Sequence, residues 1–374
     1  MTLEIGGQAH PRFEAVKDRF ARNFLDGLET GARFSIVIEG DVVVDLWAGS
    51  IDRKGDRPFD QTILTPIFST TKAVAAVMMA RLVDAGQITY DQAVASIWPE
   101  FAAAGKHDIS IGQLMSHQAG LAAFMAPFDP QRWLDPSATC TALATMAPLW
   151  EPGSASGYHP ITIGYILGEL FERIDGRTMG TALRQDVCQP MGLDLWIGLP
   201  PEMRSRMSGM IRPSSSAPMG DLTPLKRAAF LERWSSPPGR GEEPWLSIEI
   251  PSANGHATAL ALARLMEAVG SGASRGVQVL SLPTMREASA EWIRGVDLVL
   301  GSMISWAAGF MRNPPGMVYG PGPNSFGHSG WGGSCAFADP DRRLGGAYVM
   351  NRQSTHLIGD PRPVGLIQAV YDCL

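Results

Sequence analysis

Apolar positions recur at helical spacing over residues 12–29, where Phe13, Val16, Phe20, Phe24, Leu25 and Leu28 run toward Gly31. Two β-type runs follow, Arg33–Ile38 and Val42–Trp47, and Glu39-Gly40-Asp41 between them is a hairpin signal. The stretch after Phe68 predicts a helix that is apolar on every side and stops near Asp84-Ala85-Gly86. From about residue 90 to 260, short helical segments alternate with Pro/Gly/Ser-rich stretches, notably 195–225 and 234–244. One helix there is clear, with Ile163, Ile166, Leu167, Leu170, Phe171 and Ile174 on its apolar face. Beta character returns from about residue 300 in Ile304–Phe310, Ser334–Ala338 and Gly346–Met350. Asp339-Pro340-Asp341-Arg342-Arg343 is a turn between the last two runs. A helix over roughly 362–372 closes the chain.

Strands at both ends and helices between them predict an α/β (α+β) protein. Residues 1–90 and 255–374 would form a discontinuous sheet domain, and 91–254 a mainly helical domain with insertions into a cleft. There is no internal repeat, and low complexity is confined to spots such as Ser214-Ser215-Ser216.

Composition narrows the class. Of 374 residues, 45% are hydrophobic and 18% charged, which fits a folded globular chain and excludes a disordered one. A net charge of -6 offers no electrostatic footprint for nucleic acid or an anionic membrane. No apolar run approaches the roughly 18 residues a membrane span needs. Met1–His10 carries no export-signal pattern, so the expected location is cytoplasmic. Cys140, Cys188, Cys335 and Cys373 are scattered and expected to be reduced thiols. The seven histidines lack metal-site spacing, and no phosphate-binding or dinucleotide loop is present, so no cofactor is expected. The α/β-hydrolase elbow, G-x-S-x-G, is also missing.

Candidate chemistry begins at Ser69 and Lys72. Three residues apart, they share one face of the all-apolar helix they open. Burial and the positive end of the helix dipole both disfavour the lysine's charge. A serine beside such an amine is a candidate activated nucleophile. The structural alternative, an N-cap serine with an outward lysine, fits less well, since a capping box wants Glu or Gln at Lys72.

Two further stretches add polar groups. Trp150–Pro160 is a glycine-punctuated loop that holds Tyr158 at the entry to the Ile163 helix. Phe326-Gly327-His328-Ser329-Gly330-Trp331-Gly332-Gly333-Ser334 lies before or on a strand, where glycines allow close approach and strand N–H groups can face an oxyanion. Taken alone, Tyr158 could simply pin its loop and His328 could be structural.

Ser69-x-x-Lys72, then Tyr158, then His328-Ser329-Gly330, in this order, resembles the serine β-lactamase and penicillin-binding-protein superfamily. Within it the chain is most similar to the esterases related to class C β-lactamases, the family VIII carboxylesterases. Gln113–Leu121, Trp150–Gly153, Ala253–His256 and Gly333–Asn351 extend the resemblance over nearly the whole chain. It implies a β-lactamase/DD-peptidase-like fold, with an antiparallel sheet flanked by helices. It also implies that Ser69 is the nucleophile, Lys72 the amine that tunes it, and Tyr158 the proton-exchanging phenol. The backbone N–H groups of Ser69 and Trp331 would form the oxyanion hole, and His328, Ser329, Gly330 and Trp331 would contact substrate. Lys72 and His328 are the available sources of positive charge beside Tyr158. Which of Lys72 and Tyr158 takes the first proton stays open. His117 and His256 are expected to be structural.

The departures from the superfamily pattern carry information. Pro160 stands where class C enzymes have the Asn of Tyr-x-Asn, and His328 where others have the Lys of Lys-Thr-Gly. Both changes weaken recognition of anionic amides and point to neutral esters; short-chain carboxylic esters are the expected small-molecule substrates. Phe124, Phe128, Trp133, Trp245 and Trp331 are candidates to line an apolar cleft. The alternatives are a β-lactamase, D-aminoacyl hydrolase or acyltransferase on the same acyl-enzyme, or a non-catalytic ligand-binding descendant. Oligomeric state is open.

Overall fold

The computed structural model describes residues 3–215, 218–274, 276–313 and 317–374. Met1, Thr2 and Ser216 of the serine tract lie outside the described residues. The chain builds a nine-stranded sheet from its two ends. Across it the strands run Ile5–Ala9, Asp41–Gly49, Gly31–Ile38, Leu344–Met350, Cys335–Asp339, Phe326–Ser329, Met311–Arg312, Met303–Trp306 and Ile293–Val296. Every neighbouring pair is antiparallel. The 31–38/41–49 hairpin turns through Glu39 and Gly40, both at positive φ (52° and 85°), the geometry of a tight two-residue turn.

The central strands are buried on both faces, and period-two alternation sorts their side chains. Cys335, Phe337, Tyr348 and Met350 pack with Phe13, just ahead of the helix Glu14–Leu25, with Val16 and Phe20 of that helix, and with Leu366, Ile367 and Val370 of the helix Pro361–Asp372. Ala336, Ala338, Ala347 and Val349 face the opposite way, with Leu262, Ala263 and Met266 of the helix Ala259–Ser271. The residues on this second face are small because the helix lies close. A Cβ on Gly345 would sit 2.2 Å from the Ala263 carbonyl oxygen and 2.2 Å from the Glu267 nitrogen.

The helix Thr71–Asp84 is buried around most of its circumference, as its uniform apolarity requires. A small antiparallel sheet of Thr65–Phe68, Gly255–Ala257 and Leu195–Ile197 leads directly into it and ties it to the middle of the chain, where the described elements are helices besides the strand Leu195–Ile197. The clear mid-chain helix spans Thr162–Asp175 and ends at Gly176, φ 84°. Two strands carry no strong sequence signal. Ile5–Ala9 contains two glycines, and the space a Cβ on Gly6 would take is filled by the Trp47 indole at 2.4 Å. The other, Ile293–Val296, is a half-exposed edge strand. The apolar run Ile304–Phe310, expected as one strand, breaks after Trp306 and resumes at Met311–Arg312.

Candidate active site

Ser69 lies in the turn between the strand Thr65–Phe68 and the helix Thr71–Asp84. Phe68 before it sits at φ 47°, a left-handed conformation that a bulky residue adopts only when its surroundings impose it. Lys72 is 4% exposed. Its Nζ donates to the Pro160 carbonyl (2.7 Å) and the Ser252 carbonyl (2.9 Å), and lies 3.2 Å from Ser69 Oγ. Burial pushes the Lys72 pKa well below its ordinary value. Pro160, which replaces a side-chain amide of the class C pattern, thus contributes its backbone oxygen to the lysine.

Tyr158 comes from the loop ahead of the helix Thr162–Asp175 and lines the same cavity as Ser69. Lys72 Nζ lies 4.8 Å from the centre of its ring. The Trp306 indole stacks parallel to that ring at 5.7 Å, and His117 meets it edge-on at 5.0 Å. Burial above all raises the Tyr158 pKa; the Ser69 side chain lowers it and the charge of Asp297 raises it further. The phenol is therefore protonated.

His328, on the strand Phe326–Ser329, pairs its Nδ1 with the Ser329 carbonyl at 2.8 Å, so Nδ1 carries the hydrogen. That leaves Nε2 as a buried lone pair with no protein partner among the described residues. Burial, then the nearby Lys72, pushes the His328 pKa down to about 3. His328 is neutral. The expectation that it supplies positive charge to Tyr158 is corrected, because a ring this deeply buried does not hold a proton.

Gly330 brings the third segment into place. A Cβ there would stand 2.3 Å from the Ile67 carbonyl oxygen and 2.9 Å from Thr70 Oγ1, so only glycine lets this chain lie against the Ser69 turn. Ser334 Oγ completes the join through Thr70 Oγ1 (3.0 Å) and the Ile67 carbonyl (2.9 Å). Among the described residues, neither the Ser69 nor the Trp331 amide donates to a backbone carbonyl.

Ser69, Tyr158, His328, Ser329 and Trp331 line one cavity of about 30 Å³, with Phe230, Leu300, Met311, Leu357 and Ile358 as its apolar wall. A wider cleft of about 780 Å³ shares Phe230 and Trp331 with it and includes Phe68 and Trp245. Phe124, Phe128 and Trp133 line neither of these spaces. The expectation for these three is corrected. They stack on one another (Phe124–Phe128 at 4.0 Å), and the Trp133 indole donates to the Trp234 carbonyl inside the helical region. The residues that do form the wall are ordinary apolar side chains from a helix end (Phe230), a short strand (Met311) and distant loops (Leu300, Leu357, Ile358), and nothing local marks them in sequence.

His117 is buried, and its Nδ1 accepts from the His159 amide at 3.3 Å. Burial, then His159, Lys72 and His328, holds its pKa well below the usual range. His256 is buried on the strand Gly255–Ala257 against Trp245. Asp297, not singled out in the sequence, sits fully buried behind Tyr158. Its visible signal is an acid inside the apolar run Val296-Asp297-Leu298-Val299-Leu300. The four cysteines are free thiols. Among the described residues no His/Cys/Asp/Glu group could hold a metal ion, and no helix is long and apolar enough to cross a membrane.

Comparison with known proteins identifies the family and the fold. The family model described as Beta-lactamase matches residues 18–369. Esterase/beta-lactamase LipL of Mycobacterium tuberculosis is 34% identical over 373 residues, covering 95% of this chain and 84% of the relative. A crystal structure described as a novel penicillin-binding protein homolog from Caulobacter crescentus superposes at TM-score 0.97 with 57% identity, covering 99% of this chain and 100% of the other. A family VIII carboxylesterase structure superposes at 0.93 with 38% identity, over 99% of this chain and 100% of that one. A buried Ser-x-x-Lys turn, a tyrosine delivered by a second segment and a strand closing the site thus occur on a fold shared along almost its full length, and the chain belongs to the beta-lactamase family, within the serine β-lactamase and penicillin-binding-protein superfamily that includes esterases.

Proposed function

We propose that the protein is a serine carboxylesterase that cleaves short-chain carboxylic esters through an acyl-enzyme on Ser69. The observation that carries this reading is the set of partners around Lys72 Nζ. Two carbonyl oxygens take two N–H bonds, and the third direction faces Ser69 Oγ at 3.2 Å. In a neutral amine that third direction is the lone pair, aimed at the serine proton.

Lys72 takes the hydroxyl proton as Ser69 Oγ bonds to the ester carbonyl carbon, and the carbonyl π electrons move onto oxygen. The Ser69 and Trp331 amides stabilise that oxyanion. As the carbon–alkoxide bond breaks, Tyr158 gives its phenolic proton to the departing alcohol and is reprotonated at the expense of the Lys72 ammonium. Water then attacks the acyl carbon, its proton passing to the same amine–phenol pair, and Ser69 leaves as the free hydroxyl. Tyr158, held protonated by burial, suits the acid role, which supports Lys72 as the first base in this reading.

Substrate class follows from His328 and the cavity. A neutral imidazole that presents a lone pair gives a carboxylate no partner, so a neutral ester fits better than an anionic β-lactam or D-Ala amide. The cavity beside Ser69 is small and apolar-walled and adjoins the wider cleft at Phe230 and Trp331, which suits a neutral ester with a short acyl group.

Ser69→Ala is expected to fold normally and lose p-nitrophenyl butyrate turnover by on the order of 10³-fold or more. A folded mutant that keeps its turnover refutes the assignment. A panel of neutral esters, cephalosporins and D-Ala amides tests the substrate class, and preference for the anionic amides overturns the reading of His328. Stimulation of product formation by added alcohol would reveal acyl transfer from the same intermediate.

A further inference from the structure

Tyr158 is not on a regular element, so something must hold its backbone. Its amide donates to Asp297 Oδ1 at 2.9 Å, bridging from the helical region to the far edge of the large sheet. The same oxygen accepts from the Val299 amide (3.0 Å) and the Leu300 amide (2.9 Å), and Oδ2 accepts from the Trp306 indole Nε1 (3.1 Å). Asp297 is wholly buried, and its partners are four neutral N–H donors. An anion in that position persists only where such donors compensate it, and it then locks each of them in place. Two of the four belong to the walls around the reacting phenol: Trp306 is stacked 3° from parallel on the Tyr158 ring, and Leu300 lines the cavity beside Ser69. The Leu298 amide reinforces the join by donating to the Ser156 carbonyl at 2.8 Å, two residues before Tyr158.

We propose that Asp297 is the positioning residue of the general acid, its carboxylate fixing the Tyr158 backbone, the Trp306 ring stacked on the phenol and the Leu300 cavity wall as one unit. This rests on the reading of Tyr158 as the proton donor to the leaving alcohol. Asp297 touches neither substrate nor the reacting atoms; it acts through Tyr158. Its negative charge also favours the protonated phenol, the form that a proton donor needs.

The test uses two esters of one acid. p-Nitrophenolate leaves without protonation, whereas ethoxide needs a proton, so kcat/KM for ethyl butyrate depends on the placed phenol and kcat/KM for p-nitrophenyl butyrate depends on it far less. Tyr158→Phe sets the reference, with an expected loss on the ethyl ester of about 10²-fold or more beyond its loss on the activated ester. Asp297→Asn keeps one acceptor oxygen but sets an amide group among N–H donors, and a differential loss of about tenfold, in the same direction, is expected. Asp297→Ala, which removes every acceptor, is expected to show a larger differential. Equal losses of Asp297→Asn on both esters, with Tyr158→Phe showing the differential, overturn the positioning role. If Tyr158→Phe loses both activities equally, it is the acid assignment that falls. Should both Asp297 variants fail to fold, Trp306→Phe keeps an aromatic ring on Tyr158 and removes the Nε1 donor together with part of the buried indole volume. A selective loss on the ethyl ester supports the proposal, and an unchanged ratio overturns it.

Discussion

Lys72 decides how the site responds to pH. Burial lowers its pKa, so the amine is neutral over a wider range than an ordinary lysine, and that neutral form is the one able to accept the Ser69 proton. kcat/KM is expected to rise with pH through the depressed Lys72 pKa and then level, because protonation on the acid side removes the base. Lys72→Arg should abolish turnover of p-nitrophenyl butyrate while the protein stays folded, since a guanidinium does not deprotonate. Substantial activity in that variant would exclude the amine as base. Ser69 and Lys72 were legible in the sequence because their relation is local. Three residues across the turn that enters the helix fix the proximity, and the apolar neighbours foretell the burial. Tyr158 was legible only through resemblance; that His328 is mostly neutral followed from its ordinary pKa, but how firmly burial holds it neutral did not. That burial comes from packing beneath Tyr158 and Trp306, which no neighbouring residue announces.

At the scale of elements, two glycines set how closely segments approach. Gly330→Ala places a Cβ 2.3 Å from the Ile67 carbonyl oxygen and 2.3 Å from Ser334 Oγ. The chain carrying Trp331 must then move away from the Ser69 turn and misplace one oxyanion donor. A fall in kcat on the order of 10² is expected with little change in KM. Steady-state kinetics on p-nitrophenyl butyrate checks this, and unaltered kcat would remove the Trp331 amide from the mechanism. Gly345→Ala does the equivalent between the strand Leu344–Met350 and the helix Ala259–Ser271, far from the chemistry. It should cost about 1–3 kcal/mol in a denaturant titration and leave kcat near that of the parent if the protein folds. The hairpin at Glu39-Gly40 and the helices Thr71–Asp84 and Thr162–Asp175 were readable from patterning. The edge strands were not, because a half-exposed edge with glycine or charge in it has no strong alternation to read.

Across the whole molecule, a buried polar cluster ties the two ends of the chain together behind the site. Arg362 donates to Glu29 (3.1 Å), Asp360 (2.7 Å) and the Gly332 carbonyl (2.8 Å), one residue beyond Trp331. Tyr348 donates its hydroxyl to Glu29. Burial raises the Glu29 pKa to about 7, against the opposing pull of Arg362 and the Tyr348 hydrogen bond. The folded state therefore binds more protons than the unfolded state between pH of about 4.5 and 7. The stability from this group is full below the unfolded value and is lost as pH rises through 7, by about 3 kcal/mol. Glu29→Gln, which mimics the protonated acid, should flatten that dependence. Urea titrations at both ends of the window would detect it, and parallel curves for the variant and the parent would rule Glu29 out.

By itself the sequence determined the local chemistry and the layering: a serine and an amine on one buried turn, strands at both ends, helices between. These follow from periodicity and short spacing, which act within a few residues. Tertiary structure alone decided what surrounds the reacting atoms. Phe230, Leu300, Met311, Leu357 and Ile358 meet beside Ser69, Phe124 and Trp133 pack away from it, and Asp297 reaches across 139 residues of chain to hold Tyr158. Apolar side chains gain the same burial free energy wherever they are covered, so only the path of the folded chain settles which of them become the wall of the site.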